Sequence, residues 1–181
     1  YPHGDLYSHI LGQIDDDNLE RLLKLPKKDS SRFFNYIKVL QGRVRWKDKI
    51  LLRLSDKLYI VSQGTGKRIT KCECGHEFGD YRSNWKLQSK VRVRKTAEEM
   101  KAVYDPKPAV PEAGWQEIRE YFCPSCATQH AVEVVPPGYP VVMEMLPDLD
   151  KFYSDYLGKP LDDAASDWYQ DKTSDTTSNW G

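Results

Sequence analysis

The fold is decided by two short stretches of sequence, Cys72-Glu73-Cys74-Gly75-His76 and Cys123-Pro124-Ser125-Cys126. They contain all four cysteines of the protein. Zn²⁺ prefers four thiolate or imidazole ligands at the corners of a tetrahedron, and two facing hairpin-like knuckles can supply them. Gly75 and Pro124 favour the tight bends that turn both sulfurs of a knuckle inward. The pattern therefore predicts a structural zinc site formed by Cys72, Cys74, Cys123 and Cys126, in which a closed shell leaves no position for water.

Three other interpretations of the cysteines stay open at the level of sequence. Two disulfides would suit a secreted chain, but no signal peptide is visible. A redox pair at Cys123 and Cys126 would need a thioredoxin-like strand–helix setting, which this region lacks. Inert buried thiols rarely occur as two close pairs. His76 and His130 lie near the knuckles in sequence, so either is a candidate to replace a cysteine or to orient one.

Composition narrows the class of protein. The 181 residues include 27 basic and 27 acidic side chains, so the formal net charge is zero. A general nucleic-acid-binding protein would show a basic excess, and we therefore expect no nucleic-acid partner. Mean hydropathy is −0.69, and no stretch is long enough to span a bilayer, so we expect no membrane association. Paired thiols without a visible export signal predict a cytoplasmic protein.

Aromatic residues are frequent for so polar a chain, with 11 Tyr, 5 Phe and 5 Trp. Because the hydrophobic fraction is only 39%, we expect some of these rings to serve an interface with another chain. The acidic tail from Lys159 onward contains Trp168, Tyr169 and Trp180. It is too short to form its own core, so we expect it to pack on another chain or on the body of this one.

The predicted fold class is α+β, with an antiparallel sheet that carries zinc-ribbon-like knuckles. We divide the chain into a helical N-terminal segment (1–45), a β domain with a helical insertion (46–140), and a C-terminal helix with a docking tail (141–181). In the first segment a helix is expected around 6–11. A second begins in a capping box at Asp17 and Glu20 and ends at Pro26.

Local patterns place further elements. Ser30 or Ser31 is expected to cap a helix that runs to about Gln41. Residues 50–54 and 58–61 predict a hairpin. Residues 84–95 predict a strand with one basic face, formed by Lys90, Arg92 and Arg94. That face is either an anion- or acidic-partner-binding surface or, as we favour, the protection of an edge strand by cations.

The second half is predicted in the same way. Thr96 and Glu99 form a capping box that opens a helix to about Tyr104, and prolines then mark an extended loop. Residues 118–122 and 128–135 are expected to be strands on either side of the second knuckle. A short C-terminal helix begins at Asp148 and ends at Gly158. It carries an apolar, largely aromatic stripe: Leu149, Phe152, Tyr153 and Tyr156.

No catalytic grouping is visible in the sequence. The turn at 64–66 (GTG) is not a phosphate-binding loop, because Lys67 lacks the surrounding pattern. We find no nucleophile with a base, no dinucleotide fingerprint and no carboxylate–histidine metal triad. These features predict a structural or docking subunit without catalytic residues of its own.

The chain resembles the acetone carboxylase gamma subunit family over roughly residues 10 to 160. The small subunit of acetophenone carboxylase is a related alternative, and an independent zinc-ribbon binding module is another. The segments that carry the resemblance are 46–50 (WKDKI), 58–61 (LYIV), 72–78 (CECGHEF), 84–87 (NWKL), 115–124 (WQEIREYFCP), 152–153 (FY) and 157–158 (LG).

This resemblance implies a bacterial heteromeric ligase of alpha, beta and gamma subunits, arranged as (αβγ)2. Such an enzyme couples ATP hydrolysis to the carboxylation of a ketone by bicarbonate, for example of acetone to acetoacetate. The resemblance places ATP and Mn on the two larger subunits and Zn on the small one. The four cysteines carry over as zinc ligands, and no catalytic residue carries over.

Overall fold

The computed structural model describes residues 3–25, 31–104, 109–165 and 167–178. This part of the chain contains helices and two antiparallel sheets whose strands are grouped along the sequence, which confirms the predicted α+β class. The strands are β1 (Lys49–Ser55), β2 (Leu58–Ser62), β3 (Arg68–Cys72), β4 (Glu77–Asp80), β5 (Lys90–Arg94), β6 (Glu117–Phe122) and β7 (Gln129–Val135).

The helices flank these strands. None of the described helices is long and apolar enough to cross a membrane. Their bounds are α1 (His3–Ile10), α2 (Asp16–Leu23), α3 (Arg32–Arg43), α4 (Ala97–Lys101), α5 (Leu149–Lys151), which continues as a π-helical turn (Phe152–Tyr156), and α6 (Thr173–Thr177).

The first sheet has the order β1-β2-β3-β4, and its β1–β2 hairpin lies where it was predicted. Alternate residues of β2 point to opposite faces, as expected for a strand. Tyr59 and Val61 pack with Leu40 of α3 on one face. Ile60 packs with Leu149 and Tyr153 of the C-terminal helix on the other. The sheet is therefore covered on both faces, which explains why β2 and β3 are almost entirely buried.

The second sheet has the order β5-β6-β7 and contains both predicted strands that flank the second knuckle. A shared cluster joins it to the first sheet, in which Phe78, Trp85 and Tyr121 pack beside Cys72 and Cys123. The aromatic rings meet edge to face, with 5.8 Å between the centroids of Phe78 and Trp85. The cysteines thus lie at the junction of the two sheets.

Two helix starts differ in detail from the prediction. The cap of α2 is Asp15, which accepts a hydrogen bond from the amide of Asn18 at 2.9 Å. The predicted capping box at Asp17 and Glu20 is therefore wrong, because the helix begins two residues earlier. Ser31 occupies the cap position before α3. Pro26 and Ser30, which were also named at helix ends, lie outside the described residues.

The predicted strand over 84–95 is only partly correct. Residues Trp85–Gln88 form a 3₁₀ turn, which begins where the Asn84 side chain accepts a hydrogen bond from the amide of Lys86. The buried ammonium of Lys86 binds the carboxylates of Glu133 and Glu144. This ion-pair cluster fixes the turn, so the strand begins only at β5. The strand is indeed at the edge of its sheet, as favoured above.

The capping box of Thr96 and Glu99 is confirmed, although α4 ends at Lys101 rather than near Tyr104. The predicted cap at Asp148 is also confirmed, since its side chain accepts from the amide of Lys151 at 3.0 Å. The predicted stripe is wrong at one position, because Tyr156 is 78% exposed.

The described part of the tail packs on the body of this chain. Arg68, whose side chain is almost fully buried, donates two hydrogen bonds to Asp150, at 3.0 and 2.7 Å, and approaches the carboxylate of Asp163 at 3.3 Å. The amide of Gly66 also donates to Asp163. We call Arg68, Asp150 and Asp163 the C-terminal clasp. Beyond it, α6 was not predicted, and Trp180 lies outside the described residues.

Candidate metal centre

The first knuckle is the turn between β3 and β4. The amide of Cys72 donates to the carbonyl of His76, and the amide of Gly75 donates back to the carbonyl of Cys72, each at 2.9 Å. Gly75 has φ +102°, a conformation that residues with a side chain rarely adopt. A Cβ at this position would lie 3.5 Å from the Trp46 ring, an ordinary van der Waals distance, so the positive φ and not a lack of space favours glycine. The prediction that Gly75 permits the bend is therefore confirmed.

The second knuckle is the turn between β6 and β7, and it has a similar design. The amide of Cys123 donates to the carbonyl of Thr128, and the amide of Ala127 donates to the carbonyl of Cys123, each at 2.9 Å. Ala127 takes the left-handed conformation with φ +58°. Sequence reasoning did not predict this conformation, because alanine carries no signal for a positive φ.

The two knuckles bring the four sulfur atoms together. All four lie within 4.8 Å of one another. The Sγ atoms of Cys72 and Cys126 are 3.7 Å apart, as are those of Cys74 and Cys123. Zinc–sulfur bonds of about 2.3 Å at tetrahedral angles place neighbouring sulfurs about 3.8 Å apart. A disulfide would require about 2.05 Å. The spacing therefore fits a tetrahedral metal ion and does not fit disulfides.

Each knuckle contributes one buried and one exposed cysteine. Cys72 and Cys123 are buried at the junction of the sheets, while Cys74 and Cys126 face solvent. Burial raises the pKa of the Cys72 and Cys74 thiols. At Cys126 burial acts in the same direction, but hydrogen bonds from the Thr128 hydroxyl and amide outweigh it and lower the pKa to about 6. A bound dication would supply the charge that favours thiolates at the other positions.

His76 connects the two knuckles without joining the sulfur cluster. Its Nδ1 lies 3.0 Å from the Ser125 hydroxyl, and its ring packs edge to face on Phe78. The sequence did not predict this contact, since a serine inside a cysteine pair is compatible with any partner. Among the described residues, the group that could hold a metal ion contains the four cysteines and no histidine.

His130 is buried behind the second knuckle. Its Nδ1 donates to the carbonyl of Asp56 at 3.2 Å, and its ring packs against Phe78 and Trp85. Burial lowers its pKa, with the Asp56 carbonyl acting in the opposite direction. A neutral imidazole is therefore favoured. Its contacts are those of a core residue, and within the described chain its Nε2 has no hydrogen-bond partner.

The exposed sulfurs lie at one side of an open cleft of about 420 Å³. Basic side chains line the same cleft, namely Arg43, Arg45 and Lys57. Arg43 is paired with Glu73 at 3.6 Å. Because four thiolates around a dication carry a net charge of −2, these cations provide nearby positive charge for the site.

Sequence comparison relates the chain to known proteins. Residues 44–157, which include both knuckles, match the family described as acetone carboxylase gamma subunit. The acetone carboxylase gamma subunit of Xanthobacter autotrophicus is 45% identical over 166 residues, covering 91% of this chain and 98% of that protein. The acetophenone carboxylase beta subunit of Aromatoleum aromaticum is 29% identical over 79 residues, covering 43% of this chain and 61% of that protein.

Proposed function

The chain belongs to the acetone carboxylase gamma subunit family, and from this premise we propose that it is the zinc-binding small subunit of a heteromeric, ATP-dependent ketone carboxylase. The proposed reaction couples ATP hydrolysis to the joining of acetone and bicarbonate, and it yields acetoacetate. The assembly contains two larger subunits, alpha and beta, as (αβγ)2, and is cytoplasmic. ATP and Mn²⁺ belong to the larger subunits, and this chain contributes no catalytic residue.

One observation carries the proposal. The matched segment contains all four cysteines, and the 3.7 Å distance within the Cys72–Cys126 and Cys74–Cys123 sulfur pairs fits a tetrahedral zinc–thiolate centre. Cys72, Cys74, Cys123 and Cys126 are the proposed ligands. Since four thiolates close the coordination shell, the ion stabilises the junction of the two sheets and does not activate water.

The proposed division of the chain into three parts suits this role. Residues 46–140 are the proposed β domain, which would hold the metal, and the segments 1–45 and 141–181 lie on either side of it in the sequence. In the described chain the side chains of Arg68 and Asp150 join the β domain to the C-terminal part at 2.7 Å. We propose that the β domain provides the rigid body of the subunit, while surfaces outside the clasp face the larger subunits.

The proposal is tested by asking whether the chain assembles with the two larger subunits. The chain is produced together with the alpha and beta subunits of its own organism, and the native mass and the zinc content per chain are measured. The expected product is a large complex with one zinc per small subunit. A free chain of 21.0 kDa that ignores both larger subunits would overturn the proposal. A complex without zinc would overturn the ligand assignment alone.

A second candidate differs only in substrate. The similarity to the acetophenone carboxylase beta subunit favours an aromatic ketone in place of acetone. The purified complex distinguishes the two by ATP-dependent incorporation of labelled bicarbonate. Acetone as the better substrate supports the first assignment, and acetophenone supports the second.

A further inference from the structure

Strand β5 is the outer strand of the second sheet, and no described strand pairs with its free side. The hydrogen bonds of the described residues leave the outward backbone groups of 90–93 without a partner. An edge of this kind is a ready template for a strand from another chain, and proteins usually block such edges when no partner exists.

The side chains of this edge are exposed on both faces of the sheet. Val91 and Val93 are 46% and 37% exposed. Lys90 and Arg92 point to the opposite face and are also exposed. Cations alone would protect the edge, but the two valines add apolar surface that protection does not require. The combination matches a partner strand with its own alternation of acidic and apolar residues.

Among the described residues, Lys90 and Arg92 have few ion-pair partners. Lys90 has no ion-pair partner among the described residues, and Arg92 reaches Glu120 only at 4.0 Å. The stronger partner of Glu120 is the buried Arg94, at 2.7 Å. Lys90 and Arg92 are therefore available to carboxylates that approach the edge from outside.

A second copy of this chain is a poor occupant. In a two-fold antiparallel pairing of two β5 strands, residues of the same face lie opposite each other, so Lys90 and Arg92 would face the same cations of the other copy. Like charges directly opposite destabilise a strand pair. Acidic residues opposite these positions stabilise it.

We propose that β5 is an assembly edge to which one larger subunit adds an extended strand, with acidic side chains beside Lys90 and Arg92 and small or branched apolar ones beside Val91 and Val93. This inference rests on the proposed function, because it takes the partner to be a subunit of the same complex. Backbone hydrogen bonds provide the affinity in such an addition, and the alternating side chains provide the specificity.

Amide hydrogen exchange of the free chain and of the complete complex tests the backbone pairing. The outward-facing amides among residues 90–93 are expected to exchange at least about tenfold more slowly in the complex. Strand β7, the opposite outer strand of the same sheet, is the internal reference. If amide exchange slows no more in β5 than in β7, general stabilisation of the chain explains the change and the proposal is overturned.

A charge-reversal experiment tests the partner's chemistry. The double variant K90E/R92E is expected to assemble at least about tenfold more weakly, because it places acidic groups opposite acidic groups. The matched control K38E/K101E changes the net charge equally at exposed positions of α3 and α4. Melting and zinc content verify that both variants fold.

The outcomes separate the two proposals. If the wild-type chain does not assemble with the larger subunits, both the proposed function and the edge assignment fail. If the wild type assembles and K90E/R92E does so equally well, only the edge assignment fails.

Discussion

The two knuckles and the C-terminal clasp both hold together segments that are distant in sequence, but they do so by different chemistry. The knuckles present four soft sulfur ligands. Each cysteine of one knuckle lies opposite a cysteine of the other, with 3.7 Å between the two sulfurs of each pair. The clasp presents one buried guanidinium to two carboxylates. Four thiolates repel one another and need a cation to stay together, whereas the clasp contains charges of both signs.

Because the chemistry differs, the stability of the two regions should depend on different solution conditions. The junction of the sheets should depend on a metal ion, because metal binding and folding are coupled at sites of this kind. Attachment of the tail should be independent of metal and should depend on the ionisation of Asp150.

The largest loss of stability is expected from Cys72→Ser. This change removes a buried ligand, so we expect loss of zinc and a fall in the free energy of unfolding of about 5 kcal/mol or more. Metal analysis and urea unfolding, with and without a chelator, measure both quantities. Ser125→Ala, in the same pair of knuckles, is the matched control and should retain zinc. Full zinc occupancy in Cys72→Ser would exclude Cys72 as a ligand.

A smaller effect is expected from Asp150→Asn. The change leaves the buried Arg68 with Asp163 as its remaining carboxylate, and we expect a loss of about 3 kcal/mol with zinc content unchanged. Asp155→Asn, on the exposed side of the same helical segment, should change stability by less than about 0.5 kcal/mol. If Asp150→Asn releases zinc, the two regions are not independent, and the comparison fails.

Acid should weaken the clasp by less than the substitution does. Burial raises the pKa of Asp150, but hydrogen bonds from Arg68 and the Ala165 amide outweigh it and hold the pKa below its ordinary value of 3.8. The unfolded chain therefore takes up the proton first, so the stabilisation is complete above about pH 5 and is lost as the pH falls below about 4.

The difference in unfolding free energy between wild type and Asp150→Asn isolates this contribution from any acid release of metal. The difference should be constant from pH 7 to about pH 5 and should shrink below about pH 4. A difference that stays constant down to pH 3 would contradict the assignment.

The smallest effect is expected at the capping box of α4, which lies in neither region. Thr96→Ala removes the hydroxyl that accepts from the Glu99 amide at 3.3 Å, and we expect a loss of about 1 kcal/mol. Thr96→Ser keeps the hydroxyl and should remain close to wild type. Urea unfolding measures both variants, and a loss equal to that of Asp150→Asn would show that the capping interaction is underestimated.

The sequence predicted the knuckles because their information is local. Two cysteines within four residues and a glycine at the bend are visible in a short window. The β1–β2 hairpin and the Asp148 cap were predicted for the same reason. The division of the chain into three parts and the ligand assignment stay predictions.

The clasp could not be predicted, because its partners lie far apart. Arg68 is separated by 82 residues from Asp150, and neither residue belongs to a recognisable motif. The same reason explains the wrong strand assignment at Trp85–Gln88. Alternation around Leu87 suggested a strand, but the buried Lys86 is held by Glu133 and Glu144, which only the folded chain brings near.

The unequal exposure of the four sulfurs gives the candidate metal centre an outer and an inner side. Cys72 and Cys123 are buried and Cys74 and Cys126 are exposed, so a chelator or an oxidant meets the two exposed sulfurs first. Arg45 and Lys57 line the cleft beside these sulfurs and favour the approach of anionic reagents. Metal exchange at the candidate centre should therefore take place on its exposed side, and any subunit that covers the cleft would slow the exchange of the ion.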